Sequence, residues 1–200
     1  MRLYHRKGAG RPIRVAWALE EAGADYDVVI MDAEEGKGPE HRERHPLGRV
    51  PALVDDEGPL FESTALCLHV GELYPESGLL PPEGSHARGL VQQWAIFAMT
   101  ELEAPGIEAM RNREANPEMA EKATARVVKS VGALEQALNG SPPRLVGDQL
   151  TVADIVGGDV LRMVTRRFEL VPATPVIDEY LTSLLERPAR LRAAERLGMN

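Results

Sequence analysis

Two adjacent polar residues, Glu62 and Ser63, stand where a predicted strand ends and a predicted helix begins. The free amide groups at a helix N-terminus, together with a serine hydroxyl, suit a carboxylate or a phosphate. The Glu62 carboxylate suits an ammonium group, so the pair fits the zwitterionic end of an amino acid. The competing interpretation is that Ser63 serves only as the N-cap of the helix, and local sequence alone favours it.

The dipeptide Val50-Pro51 precedes a short apolar run, Ala52–Val54. Proline cannot donate a ladder hydrogen bond, so it belongs at the start of a strand or on a sheet edge. With a cis bond, the Val50 backbone would offer its N–H and C=O groups to an extended ligand. Because only about 5% of X–Pro bonds in folded proteins are cis, local sequence favours the trans form.

The glycine-containing loop Gly8–Pro12 leads into the first predicted helix. It places backbone amides and the Arg11 guanidinium at a helix start, an environment that lowers the pKa of a nearby thiol. The alternative is a plain connector whose glycines serve turn geometry.

Two further groups of residues are interpreted as structural. His41 and His45 have the spacing of a helical metal pair, but Pro46 keeps that helix short and a metal needs a further ligand. Cys67 lies among apolar residues and is expected to be a small buried side chain rather than a nucleophile. As the only cysteine it also excludes an internal disulfide.

An alternation of strands and helices over the first third of the chain positions these residues. Sequence periodicity predicts strands at 2–5, 26–30, 50–54 and 59–61, and helices at 12–22, near 39–44 and at 63–74. Because a helix connects the first two strands, we expect them to be parallel, and the turn at 55–58 to close an antiparallel hairpin.

The proline- and glycine-rich segment Pro75–Gly84 separates this region from one with helical periodicity throughout. Five helices are predicted there, at 85–112, 117–139, 151–166, 174–186 and 188–196. We therefore predict a first domain at 1–76, a linker at 77–84 and an all-helical domain at 85–200. Thr151 and Asp154 have the pattern of a capping box.

The composition excludes several classes of protein. The 200-residue chain has a net charge of −8 and no basic block, which argues against a nucleic-acid binder. No stretch approaches the ~20 apolar residues of a membrane-spanning helix, and the N-terminus lacks the apolar core of a signal peptide. We expect a cytoplasmic protein that binds neither membranes nor nucleic acid.

Four segments, in order and at the family's spacing, resemble the cytosolic glutathione transferases over nearly the full chain. They are His45–Leu53, Phe61–Leu66, Leu145–Ile155 and Arg187-Pro188. The resemblance implies an α+β, thioredoxin-like N-terminal domain of order βαβαββα, followed by an all-α helical-bundle domain. The order of elements derived from periodicity agrees with it independently.

The resemblance also implies roles for the residues singled out above. The Val50-Pro51 bond would be cis, with the Val50 backbone paired to the cysteinyl part of glutathione and Arg49 beside the same peptide. Glu62 and Ser63 would hold the γ-glutamyl end. Glutathione would be a co-substrate, with no cofactor and no metal. The family is usually a homodimer, and a small apolar electrophile binds between the domains.

One departure from the family concerns the group that activates the thiol. Gly10 stands where similar bacterial members carry cysteine, and Glu103 stands where they carry histidine. Three replacements are catalytic candidates: the Tyr4 hydroxyl, the amides near Gly10 and the Arg11 guanidinium. Tyr4 carries the only side-chain hydroxyl of the first predicted strand, but we expect this side chain to point into the core.

The resulting interpretation is a glutathione transferase that stabilises the glutathione thiolate for addition to an apolar electrophile. Two alternatives stay open. The missing activating side chains favour a non-catalytic, glutathione-binding or protein-interaction member of the same fold. A glutathione-dependent peroxidase or thiol-exchange activity fits the same binding site.

Overall fold

The computed structural model describes residues 1–138 and 142–199. Their contacts divide the chain into two compact units: the first holds Met1–Leu80 and the segment from Glu186 onward, and the second holds Pro81–Leu185. Among the helices of the described residues, none has both the length and the apolar character needed to cross a bilayer.

The first unit opens with the predicted alternation of strands and helices. Its elements are β1 (Arg2–Arg6), α1 (Pro12–Glu21), β2 (Asp27–Met31), α2 (Pro39–Arg44), β3 (Ala52–Val54), β4 (Pro59–Phe61) and α3 (Ser63–Leu73), with short 3₁₀ turns at Glu35–Lys37 and Pro75–Ser77. The order βαβαββα is confirmed, and each predicted strand overlaps an observed one.

The four strands form one mixed sheet in the order β2–β1–β3–β4. The β1–β2 pair is parallel and the β3–β4 hairpin is antiparallel, as expected. β3 also pairs antiparallel with β1, a pairing that was not predicted. Alternation along β1 gives the sheet two faces. Leu3 and its partner Leu53 are fully buried on one face, whereas Tyr4 and its partner Ala52 form a cluster with Met31.

The second unit is helical in its described part. It contains α4 (His86–Phe97), α5 (Ala104–Asn112), α6 (Pro117–Ala137), α7 (Val152–Arg162) and α8 (Pro175–Leu185). A π-helical segment, Ala98–Glu103, joins α4 to α5, so the predicted helix at 85–112 is one helical stretch with a local change of winding. A second π-helical segment, Met163–Arg167, follows α7. The end of the predicted helix at 117–139 lies outside the described residues.

The capping box at the start of α7 is confirmed. The Thr151 amide donates to Asp154 Oδ2 at 2.9 Å, and the Leu145 amide and Tyr180 hydroxyl both donate to Oδ1. Asp154 thus joins the preceding loop and α8 to this helix end. Gly158, in the same helix, packs closely against α8. A Cβ at this position would overlap the side chain of Leu184.

The last helix, α9 (Pro188–Arg196), packs against α1 in the first unit. Arg187 donates to both carboxylate oxygens of Glu21 at 2.5 and 2.8 Å, and Arg192 and Arg196 both donate to Glu20. This segment was predicted to belong to the helical domain, because helical periodicity does not reveal which unit a helix contacts. The domain boundaries at 76 and 85 themselves stay predictions.

Candidate functional site

The Val50-Pro51 peptide bond is cis, as the family resemblance implies and against the local expectation. Val50 is half-buried and packs against the cluster of Tyr4, Met31 and Ala52, whereas Pro51 is buried immediately before β3. Pro51 therefore precedes the first ladder residue, where the missing N–H costs the sheet no hydrogen bond.

A hydrogen bond from α2 fixes the backbone just before this bond. His41 Nε2 lies 2.9 Å from the carbonyl oxygen of Arg49, and because a carbonyl oxygen only accepts, Nε2 carries the proton and donates. The side chain of Arg49 is exposed, whereas His41 is fully buried. His41 therefore positions the segment that leads into Val50. This role of His41 was not predicted, because its only signal in the sequence was a spacing that suggested a metal.

His45 belongs to the turn after α2 rather than to a metal pair. Its Nδ1 accepts a hydrogen bond from the Leu47 amide at 3.2 Å, and its ring centre lies 4.9 Å from that of Phe61. Burial lowers the pKa of His45 below its ordinary value of 6.5, so the ring is neutral at pH 7. Within the described ranges, no three His, Cys, Asp or Glu side chains are grouped as a metal site.

Ser63 is the first residue of α3, and Glu62 takes the N-cap position. The interpretation of Ser63 as the N-cap is therefore wrong. Ser63 is 1% exposed, and its hydroxyl has no hydrogen-bond partner among residues 1–138 and 142–199. Because a buried hydroxyl without a partner costs about 1–3 kcal/mol, this group favours a ligand that supplies the missing bond.

Glu62 has φ 72° and ψ 109°, a backbone conformation that is rare for a residue other than glycine. Such conformations cost on the order of 1–3 kcal/mol and gather at binding sites. The side chain is exposed and makes no cap hydrogen bond to α3, so its carboxylate is available beside the helix end. Glu62 and Ser63 thus present a carboxylate and a hydroxyl at the same helix N-terminus.

The loop between β1 and α1 presents donors at a second helix end. The Ala9 amide donates to the Arg6 carbonyl at 3.0 Å, whereas the Gly10 amide meets no acceptor in the described part of the chain. Arg11 takes the N-cap position without a side-chain cap bond, and the first turn of α1 holds no acidic residue. An amide, a guanidinium and the positive end of the helix dipole therefore suit an anion here.

Tyr4 lies in the core, as expected. It is 6% exposed, and the Arg44 guanidinium carbon lies 4.2 Å from the centre of its ring.

Cys67 is fully buried in α3, also as expected. Glu103 is buried in the π-helical segment of the second unit.

Two family models match this chain. The N-terminal domain of glutathione S-transferases matches residues 1–72, and the C-terminal domain of the same family matches residues 98–188. Glutathione S-transferase 4 of Zea mays is 31% identical over 195 residues, which cover 91% of this chain and 86% of the maize protein. The chain belongs to the glutathione S-transferase family.

Solved structures support the same assignment. A glutathione transferase from Methylococcus capsulatus superposes with a TM-score of 0.88 at 29% identity, over 100% of this chain and 99% of that one. The structure of Ure2p in complex with S-hexylglutathione superposes with a TM-score of 0.85 at 26% identity, over 96% of each chain. The thioredoxin-like domain followed by a helical domain, the fold of the glutathione S-transferase family, is confirmed.

In this glutathione S-transferase family member, all the predicted site residues belong to the first unit. The structure puts Val50 and Tyr4 in one cluster, Glu62 and Ser63 at the start of α3, and Gly10 with Arg11 at the start of α1. The roles of these residues stay predictions, as do the homodimer and the cytoplasmic location.

Proposed function

We propose that this chain is a glutathione transferase whose first unit binds glutathione. The Ser63 hydroxyl and the first amides of α3 bind the γ-glutamyl carboxylate, and Glu62 binds the γ-glutamyl ammonium group. The Val50 backbone pairs with the cysteinyl residue, and the exposed Arg49 lies beside the same peptide. The observation that carries this proposal is the buried Ser63 hydroxyl without a partner among the described residues.

The relatives support the choice of ligand. Ure2p, at 26% identity, has been solved with S-hexylglutathione, and a Phanerochaete chrysosporium transferase, at 25% identity, with oxidised glutathione. The zwitterionic γ-glutamyl group also matches the carboxylate and hydroxyl that Glu62 and Ser63 present at one helix end.

The thiolate is stabilised by the donors at the start of α1. A glutathione thiol that is substantially ionised near pH 7 needs its pKa lowered by about 1–2 units, or about 1.4–2.7 kcal/mol. The free Gly10 amide and the Arg11 guanidinium supply charge-assisted hydrogen bonds of this size. The thiolate then adds to the electrophilic carbon of the second substrate, and the electron pair displaced from that carbon takes a proton from water.

A non-catalytic glutathione-binding protein is the second candidate. The observation that favours it is Gly10, which supplies neither a thiol nor a hydroxyl at the position where similar bacterial sequences have cysteine. Both candidates share the same glutathione site and differ only in whether the bound thiol is ionised.

The glutathione site is tested by calorimetric titration of Ser63→Ala with two ligands. Loss of the hydroxyl is expected to weaken glutathione binding by about 1–3 kcal/mol and to leave the binding of cysteinylglycine, which lacks the γ-glutamyl group, unchanged. Ser77→Ala is the matched control, because the Ser77 hydroxyl donates to the Tyr74 carbonyl in the same unit. Unchanged glutathione affinity in Ser63→Ala would remove the observation on which the proposal depends.

A further inference from the structure

A cavity of about 750 Å³ lies at the carboxyl ends of β1 and β2. Its lining comprises Arg6, Lys7, Ile30, Met31, Asp32 and Ala33. The parallel register places Arg6 directly opposite Met31, so the two strands end side by side and open into the same space. Small-molecule sites in proteins have volumes of about 300–1,000 Å³, so this cavity is of sufficient size for a ligand.

Two cationic side chains of the lining have no ion-pair partner among the described residues. Neither the Arg6 guanidinium nor the Lys7 ammonium has an ion pair or side-chain hydrogen bond within residues 1–138 and 142–199. The Arg6 side chain runs across Gly36, where a Cβ would lie 3.3 Å from Arg6 Cδ and 3.4 Å from Nη1. Because the buried Gly36 has no side chain, the Arg6 side chain can pack against its backbone, and this contact restricts the position of the guanidinium.

The acidic residues at and next to the cavity make hydrogen bonds or ion pairs within their own loop. Asp32 Oδ1 accepts from the amides of Glu34 and Glu35 at 2.8 and 2.9 Å, and the Asp32 amide donates to Glu35 Oε2 at 2.8 Å. This is the reciprocal pattern of a capping box, here at the start of a 3₁₀ turn. Glu34 pairs with Lys37 at 3.6 Å. In the lining itself, the two cations Arg6 and Lys7 therefore outnumber the single carboxylate of Asp32.

The remaining lining is apolar. Ile30 is 45% exposed although it lies in a strand, and Ala33 follows the end of β2. Met31 packs with Tyr4 and Ala52 in the cluster that also contacts Val50. Methionine sulfur makes favourable contacts with aromatic rings, and a guanidinium matches the planar geometry of a carboxylate.

We propose that this cavity binds the second substrate and that this substrate is an aromatic carboxylate, in place of the wholly apolar electrophile that the family resemblance implies. Its ring packs on Ile30, Met31 and Ala33, and its carboxylate binds Arg6 and Lys7. The assignment as second substrate rests on the proposed transferase function, whereas selective binding of the carboxylate does not. Because the whole chain carries a net charge of −8, long-range electrostatics disfavours an anion, and selectivity for one reports on these local cations.

The test is calorimetric titration of the full chain with 4-nitrobenzoate and with its neutral counterpart, 4-nitrobenzamide. We expect 4-nitrobenzoate to bind at least about tenfold more tightly, which corresponds to about 1.4 kcal/mol. The double variant Arg6→Gln, Lys7→Gln is expected to abolish this selectivity. Arg2→Gln removes a charge from the opposite end of β1 and is expected to retain it.

Equal affinity for the two probes, no binding of either, or unchanged selectivity in the double variant would overturn the proposal. An equal loss of selectivity in Arg2→Gln and in the double variant would also overturn it, because the effect would then come from the net charge of the chain. Gly36→Ala is a second, milder perturbation. It is expected to weaken the binding of 4-nitrobenzoate, because the added methyl group displaces Arg6 while Lys7 stays in place.

A third titration separates this site from the glutathione site. With the protein saturated in glutathione, the affinity for 4-nitrobenzoate is expected to stay within about twofold. Competition would mean that Arg6 and Lys7 bind a carboxylate of glutathione itself and would overturn the assignment to a second substrate. Selective 4-nitrobenzoate binding in a protein that binds no glutathione would refute the transferase function and leave the carboxylate site in place.

Discussion

At the scale of single residues, the proposed site depends on polar groups that have no partner among residues 1–138 and 142–199. The Ser63 hydroxyl and the Gly10 amide lie at the starts of two helices, where the backbone already favours negative charge. In the proposed complex, the γ-glutamyl carboxylate and the ionised thiol of glutathione lie at these two helix starts.

Arg11 and Tyr4 are rival sources of thiolate stabilisation, and two variants separate them. Arg11→Gln is expected to raise the pKa of the bound glutathione thiol by about one unit, or about 1.4 kcal/mol, because it removes a positive charge from the start of α1, where the thiolate is proposed to lie. Tyr4→Phe is expected to leave that pKa unchanged, because the Tyr4 ring packs in the core beneath Arg44. The measurement is a spectroscopic pH titration of the thiolate at saturating glutathione.

Arg2→Gln is the matched control for the loss of charge in Arg11→Gln. A pKa that rises in Tyr4→Phe and stays constant in Arg11→Gln would transfer the role to the tyrosine hydroxyl.

At the scale of elements, α9 is held to α1 by pairs of different burial. Glu21 is 12% exposed in its side chain, and it accepts two hydrogen bonds from Arg187 and one from the Trp17 indole. Arg192, which pairs with Glu20, is 54% exposed in its side chain. Charge pairs that are shielded from water and bidentate contribute more than exposed ones.

We therefore expect Arg187→Ala to lower the free energy of unfolding by about 1.5–3 kcal/mol. Arg192→Ala, which removes the same charge from the same segment, is expected to cost less than about 1 kcal/mol. Urea unfolding of the two variants measures the difference. Equal losses would mean that α9 is held by apolar packing rather than by the Arg187–Glu21 pair.

The sequence predicted most elements because their signals are local. The apolar alternation around Val28 and the proline at position 12 predict a strand and a helix start without information from elsewhere in the chain. The π-helical segment Ala98–Glu103 and the attachment of α9 were not predicted, because neither leaves a local pattern. The contact of Arg187 with Glu21 joins residues 166 positions apart in the sequence.

Prediction of the site was limited in the same way. Local sequence favoured a trans Val50-Pro51 bond and an N-cap role for Ser63, and the structure contradicts both. The cis bond was predicted only through the family resemblance. The hydrogen bond from His41 to Arg49 depends on how the loop folds back on α2, and the capacity of Arg6 and Lys7 to bind an anion depends on the cavity, so neither could be predicted from spacing.

At the scale of the whole molecule, stability is expected to fall on mild acidification. His5 is fully buried, neither ring nitrogen has a hydrogen-bond partner among the described residues, and burial lowers its pKa below 6.5 despite the nearby backbone of Leu197. The unfolded chain therefore binds a proton more readily than the folded one. The stabilisation is complete above the unfolded pKa of about 6.5 and is lost as the pH falls toward the lower folded pKa.

The free energy of unfolding is thus expected to decrease as the pH falls below about 6.5, by at most about 1.4 kcal/mol per pH unit for each such histidine. His5→Leu is expected to flatten this slope, and the exposed His86→Gln to retain it. His45, whose pKa burial also lowers, accounts for the slope that remains in His5→Leu. A slope as steep in His5→Leu as in the unaltered chain would exclude His5 as its source.

The proposed function requires this chain to bind glutathione and to ionise its thiol. The most direct measurement is the pH titration of thiolate absorbance for glutathione bound to the full chain, compared with free glutathione. We expect a pKa at least about one unit lower in the bound state, with Gly10 and Arg11 as the stabilising groups. A bound thiol that titrates like the free one, or the absence of saturable binding, would contradict it.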